Sequence, residues 1–120
     1  MTNPKLLASE YLALWNDPDA TSRDQRLANA WTPGARYADP IMASEGWEGI
    51  STMIAGVRAQ LPGHTFTLRG EPDGHGSFAR FSWTLSGEDG RLIATGTDII
   101  RTTQDGQIEE VIGFLDKEFV

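Results

Sequence analysis

Leu92-Ile93-Ala94-Thr95-Gly96-Thr97-Asp98-Ile99-Ile100-Arg101-Thr102, followed at Gln104-Asp105-Gly106 by a turn and then by Gln107-Ile108-Glu109-Glu110-Val111, is the stretch on which the fold turns. Residues 92–102 read as one long strand, Asp-Gly is a strong two-residue hairpin signal, and 107–116 reads as the final strand. The same pattern continues upstream. Gly87-Glu88-Asp89-Gly90 is a turn, Ser77 to Leu85 alternates through Phe81, Trp83 and Leu85, Asp73-Gly74-His75-Gly76 is another turn, and Thr65 to Arg69 alternates again. Strands joined by tight turns form an antiparallel meander, and such a sheet needs cover on one face.

The cover lies in the N-terminal half. Asn3 is placed to cap and Pro4 to occupy the first helical position, and Leu7, Tyr11 and Leu14 then recur at spacings of four and three, which predicts a helix over 4–16. Asn16-Asp17-Pro18-Asp19 ends it. Ser22 with Gln25 forms a capping box, predicting a second helix over 22–31 that carries Leu27, Ala30 and Trp31 and stops at Thr32-Pro33-Gly34. Residues 35–40 read as a short strand closed by Asp39-Pro40. Ile50, Met53, Ile54, Val57 and Leu61 predict a third helix over 47–61, ended by Leu61-Pro62-Gly63. Helices first and a meander after them define an α+β domain, a cone-shaped curved antiparallel sheet with three helices enclosing a pocket. One domain, 1–120, is expected.

Bulk properties narrow the chemistry. With 120 residues the chain can bury a core without staples, and it has no cysteine, so disulfides, thiolate metal sites and cysteine nucleophiles are excluded. The absence of cysteine fits a reducing cytoplasm, and Met1-Thr2-Asn3-Pro4 lacks the basic start and apolar run of a signal peptide, so a cytoplasmic location is expected. No stretch approaches a membrane span. A net charge of −7 repels phosphate backbones, so neither nucleic acid nor membrane is an expected partner. No phosphate-binding glycine loop or serine-nucleophile motif occurs. His64 and His75 are too far apart in sequence to suggest a metal site, so no metal and no cofactor are expected.

Two acids stand out. Asp39 lies between a strand and Pro40, beside Ile41 and Met42, and reads either as a base whose pKa apolar walls raise or as a turn aspartate bonding its own backbone. Asp98 is the one acid inside the 92–102 strand, a position that demands a partner or a task. It either faces a pocket or pairs with Arg80 on the neighbouring strand, and an arginine partner would hold it ionised. Tyr11 shares its helix face with Trp15, and a buried tyrosine hydroxyl needs a partner. Trp31, Tyr37, Phe81 and Trp83 are aromatics that either line a pocket for a flat apolar molecule or fill the core, with Met42 and Met53 as gap-fillers. If Phe81 and Trp83 face inward, Arg80 and Ser82 face outward; the sequence permits the reverse as well. His75, in a hairpin, and His64, at a strand start, read as surface residues.

Tyr11-Leu12-Ala13-Leu14-Trp15, Tyr37-Ala38-Asp39-Pro40, Gly96-Thr97-Asp98-Ile99-Ile100-Arg101 and Asp105-Gly106-Gln107-Ile108 together resemble the nuclear transport factor two-like superfamily, in its ketosteroid isomerase and SnoaL-like polyketide cyclase branch, over about residues 5–116. The resemblance implies that Asp39 stands at the general base, Tyr11 at the oxyanion-hole tyrosine and Asp98 at the protonated oxyanion-hole acid; that enzyme is also a general example of a carboxylic acid kept neutral so that it can donate. A limonene-epoxide-hydrolase pattern fits worse, since Ser82 and Gly113 stand where its aspartates would be sought. The expectation is a cofactor-independent isomerase or cyclase working by acid–base chemistry on a small apolar carbonyl compound. The rival is a non-catalytic module of the same fold, binding a small hydrophobic ligand or serving as a structural dimer. Because both faces of the 91–102 strand carry apolar residues, a homodimer is expected.

Overall fold

Asn3 accepts a hydrogen bond from the Leu6 amide at 3.2 Å and Pro4 opens the first helix, α1 (Pro4–Asn16), as its sequence implies. In this computed structural model, which describes residues 3–119, the chain continues through α2 (Ala20–Ala30), β1 (Trp31–Ala38), β2 (Ala43–Glu45), α3 (Gly46–Gln60), β3 (Thr65–His75), β4 (Phe78–Ser86), β5 (Leu92–Thr102) and β6 (Ile108–Glu118). The six strands form one open sheet in the order β2-β1-β6-β5-β4-β3. From β3 to β6 it is an antiparallel meander, as read from the sequence. β1 joins the free edge of β6 in parallel, and β2 folds back on β1. Three helices on one face of an open sheet make the α+β cone.

Strand parity is set by the core. On β4, Ala79, Phe81, Trp83 and Leu85 are buried; on β5, Ala94, Gly96, Asp98, Ile100 and Thr102 are buried. The alternating residues Arg80, Ser82 and Thr97 therefore face outward. α1 lies across β3 and β4, α3 across β1 and β2, and α2 bridges α3 and β1. Leu14, Leu27, Trp31, Ile50, Ile54, Ile100 and Val111 fill the space between helices and sheet.

Several local expectations change. The cap of α2 is Asp19, which accepts from the Ser22 amide at 2.9 Å, so the helix starts two residues before the Ser22 box. Ser22 instead donates its hydroxyl to Asp17. Trp31 opens β1 and does not end α2; Thr32-Pro33-Gly34 lies inside β1, where the register to β6 shifts between Trp31 and Arg36. Such an irregular edge segment tolerates a residue without an N–H. β3 runs on to His75 through a register shift between Arg69 and Asp73, with Gly70 at φ +75°, so the turn falls at Gly76-Ser77. His64 is buried at 5 % exposure, its ring edge-on to Phe66, and is not a surface residue.

Candidate active site

Between the helices and the inner face of the sheet lies a cavity of about 360 Å³. Tyr11, Leu12 and Trp15 reach it from α1, Tyr37 from β1, Asp39, Ile41 and Met42 from the loop after β1, and Trp83, Asp98 and Gly113 from β4, β5 and β6. Its mouth is edged by Ile41, Gln60, Glu118 and Phe119. Of the nine candidate residues, Asp39, Asp98, Tyr11, Tyr37, Met42 and Trp83 meet here. Three do not. Trp31 is fully buried behind Tyr11, stacked on its ring at 6.0 Å. Phe81 packs edge-on to Tyr11 at 5.3 Å from the core side. Met53, on α3, packs against the core away from the cavity. Trp31 stands at the very start of β1, the strand that α3 and α2 cover, and Phe81 sits nearer the far end of β4 than Trp83 does, so both serve as backing.

Asp39 is held by three donors. Its Oδ1 accepts from the amides of Ile41 at 2.8 Å and Met42 at 2.9 Å, and its Oδ2 accepts from the Tyr37 hydroxyl at 2.6 Å. The loop closes as an aspartate turn, and Tyr37, two residues earlier on the same side of β1, points its hydroxyl at the acid. Asp39 therefore bonds its own turn, and it also stands on the cavity wall.

Asp98 is 3 % exposed and accepts one hydrogen bond, from the Trp83 indole N–H to Oδ1 at 3.1 Å. Burial pushes its pKa up to about 6; the Trp83 donor and the nearby Tyr11 hydroxyl moderate the rise, and the charge of Asp39 adds to it. Arg80 pairs instead with Asp73 on the outer face, through two bonds of 2.9 Å, so the Arg80–Asp98 pairing does not form. Tyr11's hydroxyl is buried without a hydrogen-bond partner, and burial, then Asp98 and Tyr37, raise its pKa well above the ordinary phenol. Burial, then Asp98, likewise raises that of Tyr37.

Gly113 joins the two acids. A Cβ there would lie 2.9 Å from Asp98 Oδ1, 3.2 Å from Asp39 Cβ and 3.6 Å from the Tyr37 hydroxyl. It sits opposite Asp98 in the β5–β6 register. From the sequence Gly113 reads only as a position lacking an aspartate, not as a contact between the two acids, and Trp15 is also a wall residue, with an unpartnered indole N–H. Among the described residues no lysine, arginine or histidine lines the cavity, and no group of three acids or histidines is close enough to hold a metal ion. No helix among them is long and apolar enough to cross a membrane.

A cone with paired acids on an aromatic-walled cavity defines a class, and comparison with known proteins agrees with it. Residues 8–111 match the model of the SnoaL-like domain, and the chain belongs to that family, within the nuclear transport factor two-like superfamily. It is similar to a proposed isomerase of the SnoaL-like family from Agrobacterium tumefaciens, with 45% identity, 98% of this chain and 100% of that one covered, and a TM-score of 0.94. It shares its fold with a proposed SnoaL-like polyketide cyclase from Jannaschia (18% identity, 97% and 90% covered, TM-score 0.74). The same holds for a ketosteroid isomerase-like fold from Catenulispora acidiphila in complex with trimethylamine (15% identity, 94% and 85% covered, TM-score 0.75). No curated protein matches the sequence.

Proposed function

We propose that the protein is a cofactor-independent isomerase or cyclase that moves a proton next to the carbonyl of a small, uncharged, largely apolar compound. The observation that carries this reading is the meeting of Asp39, Asp98 and Tyr11 on one mostly apolar cavity, with Asp98 pushed up to about 6. Burial, with the charge of Asp39 adding to it, lets Asp98 hold its proton up to about pH 6, so the neutral acid is the form that donates below that pH. Asp39 then takes the proton from the carbon beside the carbonyl. Asp98 and Tyr11 donate to the carbonyl oxygen as it becomes an enolate. Return of the proton at another carbon shifts a double bond; attack by the enolate carbon on a second carbonyl closes a ring. Asp39, Asp98 and Glu118 with no facing cation disfavour anionic substrates, which argues for a neutral ligand.

The test is deuterium wash-in. Neutral cyclic ketones and enones are incubated with the protein in D₂O and followed by NMR. Enzyme-dependent exchange at the α-carbon of at least one compound is expected, with none on matched carboxylates. Tight binding of such compounds with no exchange on any would leave the ligand-binding module as the better reading.

The outer face of the sheet suits a second copy of the chain. Ile112 and Phe114 are exposed there, Ile99 pairs with Ile112, and the surrounding charges come in both signs, Arg69 with Asp116 and Arg101 with Glu109 and Glu110. That mixture is self-complementary under a two-fold axis, despite the net negative charge. Light scattering at micromolar concentration should give the mass of a dimer; a monomer would refute the pairing.

A further inference from the structure

Asp98 is useful as a donor only if its proton sits on the oxygen that reaches the ligand. Nothing in a carboxyl group itself chooses between its two oxygens. The choice is made by what each oxygen meets in the protein, and here the two meet different things.

Trp83 stands on β4 directly opposite Gly96 on β5, two residues before Asp98. To reach Asp98 its indole lies across the backbone of Gly96. A Cβ at Gly96 would come within 2.2 Å of Trp83 Cζ2 and 2.6 Å of Cε2, and it would also press on the Phe114 carbonyl at 2.7 Å. Gly96 is outside the left-handed region, so space and not backbone conformation requires the glycine. From β3, Phe66 closes on the indole edge to face, with ring centroids 5.2 Å apart. The indole is held between Phe66 and a bare strand, and the one polar atom it carries ends 3.1 Å from Asp98 Oδ1.

An indole N–H is a donor and never an acceptor. Oδ1 must therefore accept, in the neutral acid as in the carboxylate. Trp83 does not reach Oδ2, and the nearby Tyr11 hydroxyl makes no hydrogen bond of ordinary geometry, so Oδ2 is the oxygen left for a ligand. We propose that Trp83 is a positioning residue: lodged over Gly96, its N–H keeps Oδ1 as the acceptor, so that the acid proton of Asp98 is carried on Oδ2 and presented to the ligand oxygen. This deepens the acid–base reading and rests on it for the ligand, but the hydrogen-bond device itself is measurable without any substrate. The groups facing Asp98 from the elements around it are Trp83 on β4, Tyr11 on α1, Tyr37 on β1, and Asp39, with Asp116 more remote. Only the first donates to Oδ1.

The test uses the full chain and the indole ¹H–¹⁵N resonances of its four tryptophans. The signal missing from Trp83→Phe identifies Trp83. In the unsubstituted protein that signal should move with pH at the same midpoint as the Asp98 ¹³C carboxyl resonance, and in Asp98→Asn it should not move. Trp83→Phe keeps the ring against Phe66 and removes the N–H; without a donor to the charged form, the Asp98 midpoint should rise by about one pH unit. Phenylalanine packing alone would leave that midpoint in place. A Trp83 indole signal indifferent to pH between 4 and 8 would overturn the proposal, as would an unchanged Asp98 midpoint in a folded Trp83→Phe. If Trp83→Phe does not fold, Asp98→Asn identifies the signal as the one that loses its pH dependence, and the titration of the unsubstituted protein still decides. Failure here leaves deuterium wash-in untouched, and failure of wash-in leaves this titration standing, so the two readings fall separately.

Discussion

Asp39 and Asp98 abut the same glycine but reach it from opposite kinds of backbone. Asp39 sits in a loop, where free amides are available, and collects two of them plus the Tyr37 hydroxyl. Asp98 sits in mid-strand, where neighbouring strands already use every main-chain donor, and is left with one side-chain N–H. The loop gives a carboxylate three donors and partial exposure to water. The strand gives a carboxyl group burial and a single donor, which holds its proton up to about pH 6. The contrast between the surroundings of the two acids thus comes from secondary structure, through the supply of unused amides, and it is what the proposed division into base and acid rests on.

The strongest way to break the comparison is to neutralise the loop acid. Asp39→Asn preserves volume and the turn's acceptor oxygen but removes the base. Turnover should fall by about 10²–10⁴-fold while the affinity for a competent ligand changes by only a few-fold. Single-turnover kinetics with equilibrium binding on the same variant separates the two. Full activity in Asp39→Asn would transfer the base to Asp98 and reverse the comparison.

The strand acid should reveal itself in stability. Its folded pKa, about 6, is raised above the ordinary 3.8, so the folded state binds the proton more tightly than the unfolded chain does. Stability from this group is present at low pH and is lost as pH rises through the window from about 4 to 6. Two pH units correspond to about 3 kcal/mol at most. Asp98→Asn keeps an oxygen for the Trp83 N–H and has no charge to bury. Urea unfolding of the two proteins at pH 4 and pH 7 should therefore diverge, with Asp98→Asn gaining on the parent at the higher pH. Parallel curves would mean that Asp98 titrates as an ordinary surface acid.

What could be read from the sequence follows the same division between regular and irregular backbone. The α1 cap at Asn3-Pro4, the span of α3 and the β4–β5–β6 meander were legible, because caps, helical spacing and Asp-Gly turns act locally. β2 was not: Ala43-Ser44-Glu45 is too short to carry a period, and only pairing with Arg36, Tyr37 and Ala38 makes it a strand. The parallel β1–β6 contact joins residues some seventy positions apart with nothing between them to mark it. Within the site, Asp39, Asp98 and Tyr11 were legible chiefly through family likeness. The parity of β4 was not, since Phe81 and Trp83 alternate with polar residues that suit either face. It took Arg80 finding Asp73 across the outer face to leave Asp98 to Trp83. Trp31 and Phe81 failed as lining residues for a related reason. A tally of aromatics gives the number of rings in the core but not which of them stop at a void.

Gly113 offers the smallest and sharpest test, since both acids touch it and nothing about its backbone demands glycine. Its φ is not in the left-handed region, so alanine brings no conformational strain and any cost is steric. The added methyl would stand 2.9 Å from Asp98 Oδ1 and 3.2 Å from Asp39 Cβ. Neither neighbour yields easily: Oδ1 is tied to Trp83, and the Asp39 carboxyl is tied to two amides and Tyr37. Overpacking of this kind costs about 1–3 kcal/mol. Gly34 supplies the control, because it too lies outside the left-handed region and a Cβ there meets nothing within 4 Å. Thermal unfolding should rank Gly113→Ala below the parent and Gly34→Ala level with it or slightly above, as fewer unfolded conformations would favour. The Asp98 carboxyl resonance should shift in Gly113→Ala alone. Two alanine variants of equal stability, with the carboxyl signal unmoved, would show that the acids are farther apart in solution than their shared contact with Gly113 requires, and the electrostatic coupling between loop and strand would lose its basis.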